Sequence, residues 1–318
     1  MNAWLYFVHC LTPVHVGTGQ GVGIIDMPLM REKITQWPML PGSSIKGVHR
    51  EHLRQTPGID EAWLDAAFGR AESSGEEGAA GSLVLSDSRL LAFPVASLYG
   101  TFAYVTCPMA LRRMLRDMAA AGMMPTEALF VDDLDKLLTA ESDQKPSGQQ
   151  KEGDVPKDRA LVVSGGSALT SGDMLYLDEF ECKAIESDAL EKWASWLEAA
   201  LFAHDESFGR LFRERLTVVS DEAFQYFVTV CCEVVPRIRL EQERKTVQRG
   251  ALWYEEYLPA EAILYGISWC DNIHGRSGGT SRDDLLKQLP EKLWVQVGAN
   301  ATVGKGRVCL SHYKGGRS

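Results

Sequence analysis

Strand-length apolar runs and amphipathic helical stretches alternate unevenly along this chain, and that rhythm decides its fold class. Ala3 to Leu11, Ser82 to Ala92, Tyr99 to Cys107, Ala160 to Val163, Met174 to Ile185, Ala262 to Trp269, Leu293 to Val297 and Arg307 to Ser311 are rich in β-formers and predict strands. Val234 to Leu240 and Leu252 to Leu258 predict the arms of a long hairpin. Helices are expected from near Ser43 or Ser44, at Glu61 to Phe68, from Pro108 to about Ala120, and at Asp188 to Ala203, whose apolar stripe carries Trp193, Trp196 and Leu197. A short helix should follow the loop Asp271 to Asp284, and Phe224 to Cys232 suits a helix or a strand equally. The pattern predicts an α+β fold, a sheet with helices packed on one face and interrupted by insertions. No repeat of solenoid period is present.

A membrane role does not fit. The longest uncharged stretch, Leu90 to Leu111, is divided by Pro94, Gly100 and Pro108, so it predicts two core strands. Met1 to Leu11 lacks a basic leader and meets Thr12 and Pro13 too soon for a signal peptide. The seven cysteines are odd in number and show no metal-ligand spacing, which predicts a reducing cytoplasm and no zinc site. With 318 residues and 45% hydrophobic content, the chain can bury the core of one large domain with insertions or of two modest ones. A net charge of −10 argues against gripping nucleic acid over the whole surface, so a cationic groove must be local. Screening over roughly 10 Å permits such a groove beside acidic flanks.

Four segments carry the candidate chemistry. The first is GTGQGVGIID, Gly17 to Asp26, inside a long Gly- and Pro-bearing stretch from Thr12 to Pro41 and flanked by His15 and Arg31. Its glycines allow close approach to a phosphate, although a dinucleotide fingerprint would need glycine at Val22, and the residues also suit a flexible surface loop. Asp26, between Ile25 and Met27-Pro28, is a carboxylate able to bind a divalent cation or orient a ribose hydroxyl; a turn cap is the plainer role.

The second, PGSSIKGVHREHLR, Pro41 to Arg54, predicts a helix capped by Ser43 or Ser44 with amides open to an anion. Lys46, Arg50 and Arg54 share one arc of roughly 80°, with Ile45, Val48 and His52 opposite. A phosphodiester contact and a solvated basic face both fit. The third is the hairpin region, Pro236 to Pro259. Arg237 and Arg239 lie on one arm, Arg244, Lys245 and Arg249 near the tip, and Trp253, Tyr254 and Tyr257 on the return arm. Cations interleaved with aromatics suit backbone contact plus base stacking, though a solvated arm has a similar composition. The fourth, GANATVGKGRV, misses a phosphate-binding P-loop: five residues separate Gly298 from Gly304, and Gly306 stands where Ser or Thr would bind magnesium. A Gly-rich turn bearing Lys305 and Arg307 remains, suited to a sugar-phosphate chain.

In order along the chain, LTPVHVGTGQGVGIIDMPLMRE, WPMLPGSSIKGVHREHL, YGTFAYVTCPMALRR, LWYEEYLP and VGANATVGKGRV resemble the RAMP superfamily of CRISPR-associated proteins, specifically the repeated backbone subunit of type III-B (Cmr) complexes. The resemblance spans nearly the whole chain. It implies a single RAMP domain over residues 1–318, with a ferredoxin-like, RRM-like core, loop and helical insertions, a Gly-rich active-site loop at 12–41 and a β-hairpin thumb at 234–259. It implies a CRISPR RNA guide, complementary target RNA, further copies of the chain and other Cmr subunits as partners. It further implies a divalent-cation-dependent (Mg or Mn) endoribonuclease that cuts target RNA at regular steps. Asp26 matches the cleaving aspartate and cation ligand, His15, Glu255 and Tyr257 match positions near it, and Lys46 matches a guide-backbone contact. A non-catalytic RNA scaffold is the main alternative, and an enzyme for a free nucleotide a distant third. The polar segment Glu141 to Asp158 is expected to be mobile.

Overall fold

A computed structural model describes residues 3–19, 21, 24–70, 78–125, 129–140, 158–241, 246–270 and 281–314. Two compact units emerge. One gathers Met1–Leu90, Leu115–Met124 and Val228–Ser318, the other Leu91–Met114 and Pro125–Phe227.

At the centre of the first unit lies the strand Ala3–Cys10, buried at every residue. A nearly continuous apolar run, AWLYFVHC, broken only by His9, which bonds Glu261, is what a strand covered on both faces requires. Ile263–Cys270 pairs with it antiparallel on one side, with Phe7 opposite Tyr265, and Arg307–Tyr313 on the other, with Val8 opposite Leu310. Lys292–Gln296 extends the sheet beyond Arg307–Tyr313. On the far side of Ile263–Cys270 come Leu83–Leu85 and the start of Ser88–Ala96. The helix Gly42–Arg54 buries Ile45, His49 and Leu53 and packs with the helix Glu61–Phe68, which Asp60 caps by accepting from the Ala62 amide. The short helix Arg282–Lys287 packs near Ile263–Cys270 and buries Leu285 and Leu286. Glu233–Leu240 and Val247–Tyr257 form a separate antiparallel hairpin, irregular between Ile238 and Leu240, whose Val234, Ile238, Leu240, Val247 and Leu252 are exposed.

In the second unit Phe102–Thr106 pairs antiparallel with Ser88–Ala96 and parallel with Leu216–Val218. Leu216–Val218 in turn pairs antiparallel with Asp158–Val163. Phe180–Ser187 runs parallel to Asp158–Val163, and Met174–Leu177 folds back on it. Asp188–Phe202 starts with Ser187 accepting from the Leu190 amide and sinks Trp193, Ala194 and Leu197 into the core. Helix Glu206–Arg215 lies against it, with Asp205 as cap.

The α+β expectation holds, with a mixed rather than a purely antiparallel sheet. Several boundaries differ. The run Ser82–Ala92 breaks at Ser86 and Asp87, where the Ser86 amide bonds the Ile267 carbonyl and the Asp87 carboxylate takes the Gly42 amide. Met174–Ile185 is a hairpin turning at Asp178, which holds a left-handed φ of 49°. Phe224–Cys232 resolves as the end of the helix Asp221–Val230. The helices Val131–Thr139 and Glu206–Arg215 had no counterpart in the sequence reading. All seven cysteines are free, and among the described residues no helix is long and apolar enough to cross a membrane. The segment 141–157 lies outside the described residues.

Candidate active site at the hairpin root

The strand Val247–Tyr257 alternates its side chains, so Trp253, Glu255 and Tyr257 share one face and Tyr254 and Glu256 the other. The long stretch after Cys10 is stitched to this strand. Val14 bridges Leu258, and Met27 bridges Glu255: the Met27 amide donates to the Tyr254 carbonyl at 3.0 Å and the Glu256 amide to the Met27 carbonyl at 3.0 Å. This register puts Asp26 at the strand edge, where its Oδ2 accepts from the Tyr254 amide at 2.8 Å while the side chain stays exposed.

Beneath this edge, Glu256 receives the Leu29 amide at 2.9 Å and pairs with Arg31 at 2.5 Å. Burial works against the Arg31 charge, but Cys232 and Glu256 outweigh it and raise the guanidinium pKa. Arg31 also donates to the carbonyls of Gln36 and Val228, which ties the Gly-rich stretch down at its far end.

On the opposite face Glu255, only 4% exposed, is a hub. Arg237 Nε donates to it at 3.1 Å, Trp253 Nε1 at 2.8 Å and Asn300 Nδ2 at 2.9 Å, and the Tyr257 hydroxyl donates as well. Burial pushes the Glu255 carboxyl up, but the Tyr257 and Trp253 hydrogen bonds and Arg237 prevail and hold it below the ordinary carboxylate value. Burial and the adjoining Glu255 carboxylate raise the Tyr257 phenol. Lys305 Nζ lies 4.9 Å from the centre of the Tyr257 ring. His15 completes the wall. Its ring centre is 5.5 Å from that of Tyr257, and its Nδ1 donates to the Glu256 carbonyl at 2.7 Å. A Cβ on Gly17 would stand 2.7 Å from the His15 Nε2, so a larger residue there would have to displace the buried imidazole.

Of the four residues expected at the catalytic centre, Asp26 alone is exposed. His15 at 2%, Glu255 at 4% and Tyr257 at 0% are buried and support the edge from below. Arg237, Trp253 and Lys305 join this cluster, while Arg239 and Arg307 are exposed and, among the described residues, make no side-chain bond to it. Arg249 lies on the return strand; Arg244 and Lys245 fall outside the described residues.

The helix expected to offer an anion site does not. Neither Ser43 nor Ser44 caps it: Pro41 holds the cap position with no side-chain hydrogen bond, and the Gly42 amide already donates to Asp87 at 2.8 Å. The anion at this helix start is the chain's own carboxylate. Lys46 is half-buried and donates to the Leu83 carbonyl at 2.8 Å, and burial lowers its pKa; Arg50 stands 3.7 Å from Asp65. Val48 and His52 remain half-exposed, and His49 and Leu53 complete the buried stripe with Ile45.

Asn300 and the Arg31–Glu256 pair were missed. An Asn framed by Gly298 and Gly304 is a signal for a left-handed turn, and Asn300 has φ 65°. Among the described residues no three His, Cys, Asp or Glu side chains gather into a metal cage. Glu255 is occupied by four donors and Glu256 is buried against Arg31 and the Leu29 amide, whereas Asp26 is exposed with one donor, which fits a magnesium-like cation that would draw its other ligands from phosphate oxygens and water.

Comparison with known proteins gives this architecture its class. The RAMP superfamily pattern matches residues 7–309, and the chain belongs to that superfamily. It is 30% identical over 308 residues to the CRISPR system Cmr endoribonuclease Cmr4 of Pyrococcus furiosus, covering 97% of this chain and 95% of that protein. To the CRISPR system CMR subunit Cmr4 of Saccharolobus solfataricus it is 23% identical over 317 residues, 96% and 94% of the two chains. In fold it is similar to oligomeric Cmr4 from Pyrococcus furiosus, with a TM-score of 0.66, 24% identity and 98% of each chain covered. It is likewise similar to a chain of the type III-B Cmr-beta complex bound to cognate target RNA, with a TM-score of 0.66, 21% identity, and 98% and 96% covered.

Proposed function

We propose that this chain is the CRISPR RNA-binding backbone subunit of a type III-B effector complex and an endoribonuclease that cuts guide-paired target RNA, with Asp26 at the point of scission. The observation that carries this reading is the placement of one exposed carboxylate, pinned by a backbone amide, at the root of a hairpin bearing cations and aromatics.

The strand order Arg307–Tyr313, Ala3–Cys10, Ile263–Cys270, Ser88–Ala96, with Gly42–Arg54 and Arg282–Lys287 as the crossing helices, supports a ferredoxin-like core. Glu233–Tyr257 is its thumb, and the whole chain is one RAMP domain bearing insertions. Guide and target RNA, further copies of the chain and other Cmr subunits are its partners. Its free cysteines suit work in the cytoplasm.

The reaction is transphosphorylation. The target ribose 2′-OH loses its proton and bonds to the adjacent phosphorus, the bond from phosphorus to the 5′ oxygen breaks, and that oxygen takes up a proton. A 2′,3′-cyclic phosphate and a 5′-OH end result. Asp26 accepts a hydrogen bond from the 2′-OH or serves as the protein ligand of a divalent cation, which when bound neutralises phosphate charge. Tyr254 fixes the carboxylate, the buried His15, Glu255 and Tyr257 hold the strand, and Arg237 and Lys305 offer cations to the backbone. With one acid and no cage, rate comes chiefly from positioning a distorted target strand.

The test is incubation of assembled complex with labelled complementary RNA, reading product spacing and end groups with and without chelator. Asp26→Asn should abolish regular cutting while guide binding and assembly persist. Unchanged cutting would assign the chemistry to another subunit and leave this chain a scaffold.

A further inference from the structure

We infer that Asn300 is a positioning residue for the scission, holding Glu255 and Tyr257 so that the strand whose Tyr254 amide fixes Asp26 stays in register; this inference rests on the reading of Asp26 given above. Its carboxamide nitrogen lies 2.9 Å from Glu255 Oε2 and 2.8 Å from the Tyr257 hydroxyl. One proton arrangement satisfies all three groups. A carboxylate only accepts, so the Tyr257 hydroxyl gives its proton to Glu255 and accepts one N–H of Asn300, whose other N–H goes to Glu255.

The backbone is committed as well. Asn300 adopts φ 65°, a conformation Asn tolerates and most residues resist, and its carbonyl accepts from the amides of Val303 at 3.1 Å and Lys305 at 3.2 Å. On its other side the Ala299 amide donates to the His15 carbonyl at 2.9 Å. Asn300 thus joins the C-terminal Gly-rich turn, including Lys305 above Tyr257, to the strand whose Tyr254 amide holds Asp26. It touches no reacting atom, so its contribution is to geometry.

Two variants in the assembled complex test this. Asn300→Gly keeps the left-handed backbone and removes the carboxamide. Asn300→Asp keeps the shape and sets a second carboxylate against Glu255. With saturating target RNA, the single-turnover cutting rate should fall on the order of tenfold to a hundredfold in both. Target Kd, guide binding and cut positions should stay within about twofold of the parent.

A rate equal to the parent's in both variants overturns the inference. So does a loss of assembly or target affinity in parallel with rate, which would mark Asn300 as merely structural; should Asn300→Gly fail to assemble, Asn300→Asp decides. Asp26→Asn run alongside separates the two ideas. If it cuts at the parental rate, the reading of Asp26 itself fails; if it is inactive while the Asn300 variants are normal, only the role of Asn300 does.

Discussion

The Asp26 carboxylate is held by the amide of Tyr254, 228 positions later in the chain, at 2.8 Å. The hydrogen bond is exposed, so it contributes about 1 kcal/mol or less. Asparagine retains an acceptor oxygen there. Asp26→Asn should therefore keep the parent urea midpoint within about 0.5 kcal/mol, and Asp26→Ala should lose up to about 1 kcal/mol. Cutting should fall by about two orders of magnitude or more in both. A variant that unfolds early yet still cuts would contradict this order.

The Arg31–Glu256 pair lies under the same edge, with side-chain exposures of 14% and 6%. Glu256→Gln leaves a mostly buried guanidinium without its counter-charge and weakens the acceptor for the Leu29 amide. Urea denaturation should show a loss of about 3 kcal/mol. A midpoint matching the parent would show that Gln36 and Val228 suffice to hold Arg31.

Two glycines in the C-terminal turn share a left-handed backbone but differ in surroundings. At Gly298, with φ +81°, a Cβ would stand 2.1 Å from the His15 carbonyl oxygen; at Gly304, with φ +79°, it would meet nothing within 4 Å. Gly304→Ala should cost about 1 kcal/mol from backbone strain alone. Gly298→Ala should cost more than about 3 kcal/mol, because main chain must move. Paired thermal melts check the difference, and equal losses would refute it.

His49 and His312 are buried with ring centres 5.3 Å apart; each Nδ1 donates to a carbonyl, and each Nε2 has no hydrogen-bond partner among the described residues. Burial, with a smaller effect of His52, lowers His49 to about 4. Burial, and then His49 itself, lowers His312 to about 3. Both folded values lie below the unfolded value near 6.5, so the unfolded chain binds more protons in between. Stability is complete above about pH 6.5 and is lost as pH falls toward 4 and then 3, by roughly 2 kcal/mol for each ring at about pH 5. Urea midpoints at neutral and mildly acid pH should show this decline, with a shallower slope in His49→Met. A flat profile would count against both imidazoles being neutral.

Much of the framework was legible because it is local. Seven apolar residues among the eight of Ala3–Cys10, all but His9, announce a buried strand, and Pro108 opens its helix as expected. The hairpin arms, expected at Val234–Leu240 and Leu252–Leu258, are also present, although the second begins at Val247 and ends at Tyr257. What escaped depends on distant partners. Asp87, 45 positions from Gly42, takes the amide that Ser43 or Ser44 was expected to leave for an external anion. Nothing near Glu255 reveals that Asn300 and Arg237 will close over it and bury it, or that Lys46 will spend its ammonium on Leu83. Resemblance alone singled out Asp26, and the donor that orients it lies on another element.

Because main-chain bonds from Tyr254 and Glu256 fasten Asp26 and Met27 to the hairpin arm, the proposed acid and the arm travel as one piece. If copies line up along a guide as proposed, each brings its own blade at a fixed offset from its own arm. The distance between successive cuts is then inherited from how arms stack, whatever bases the target presents.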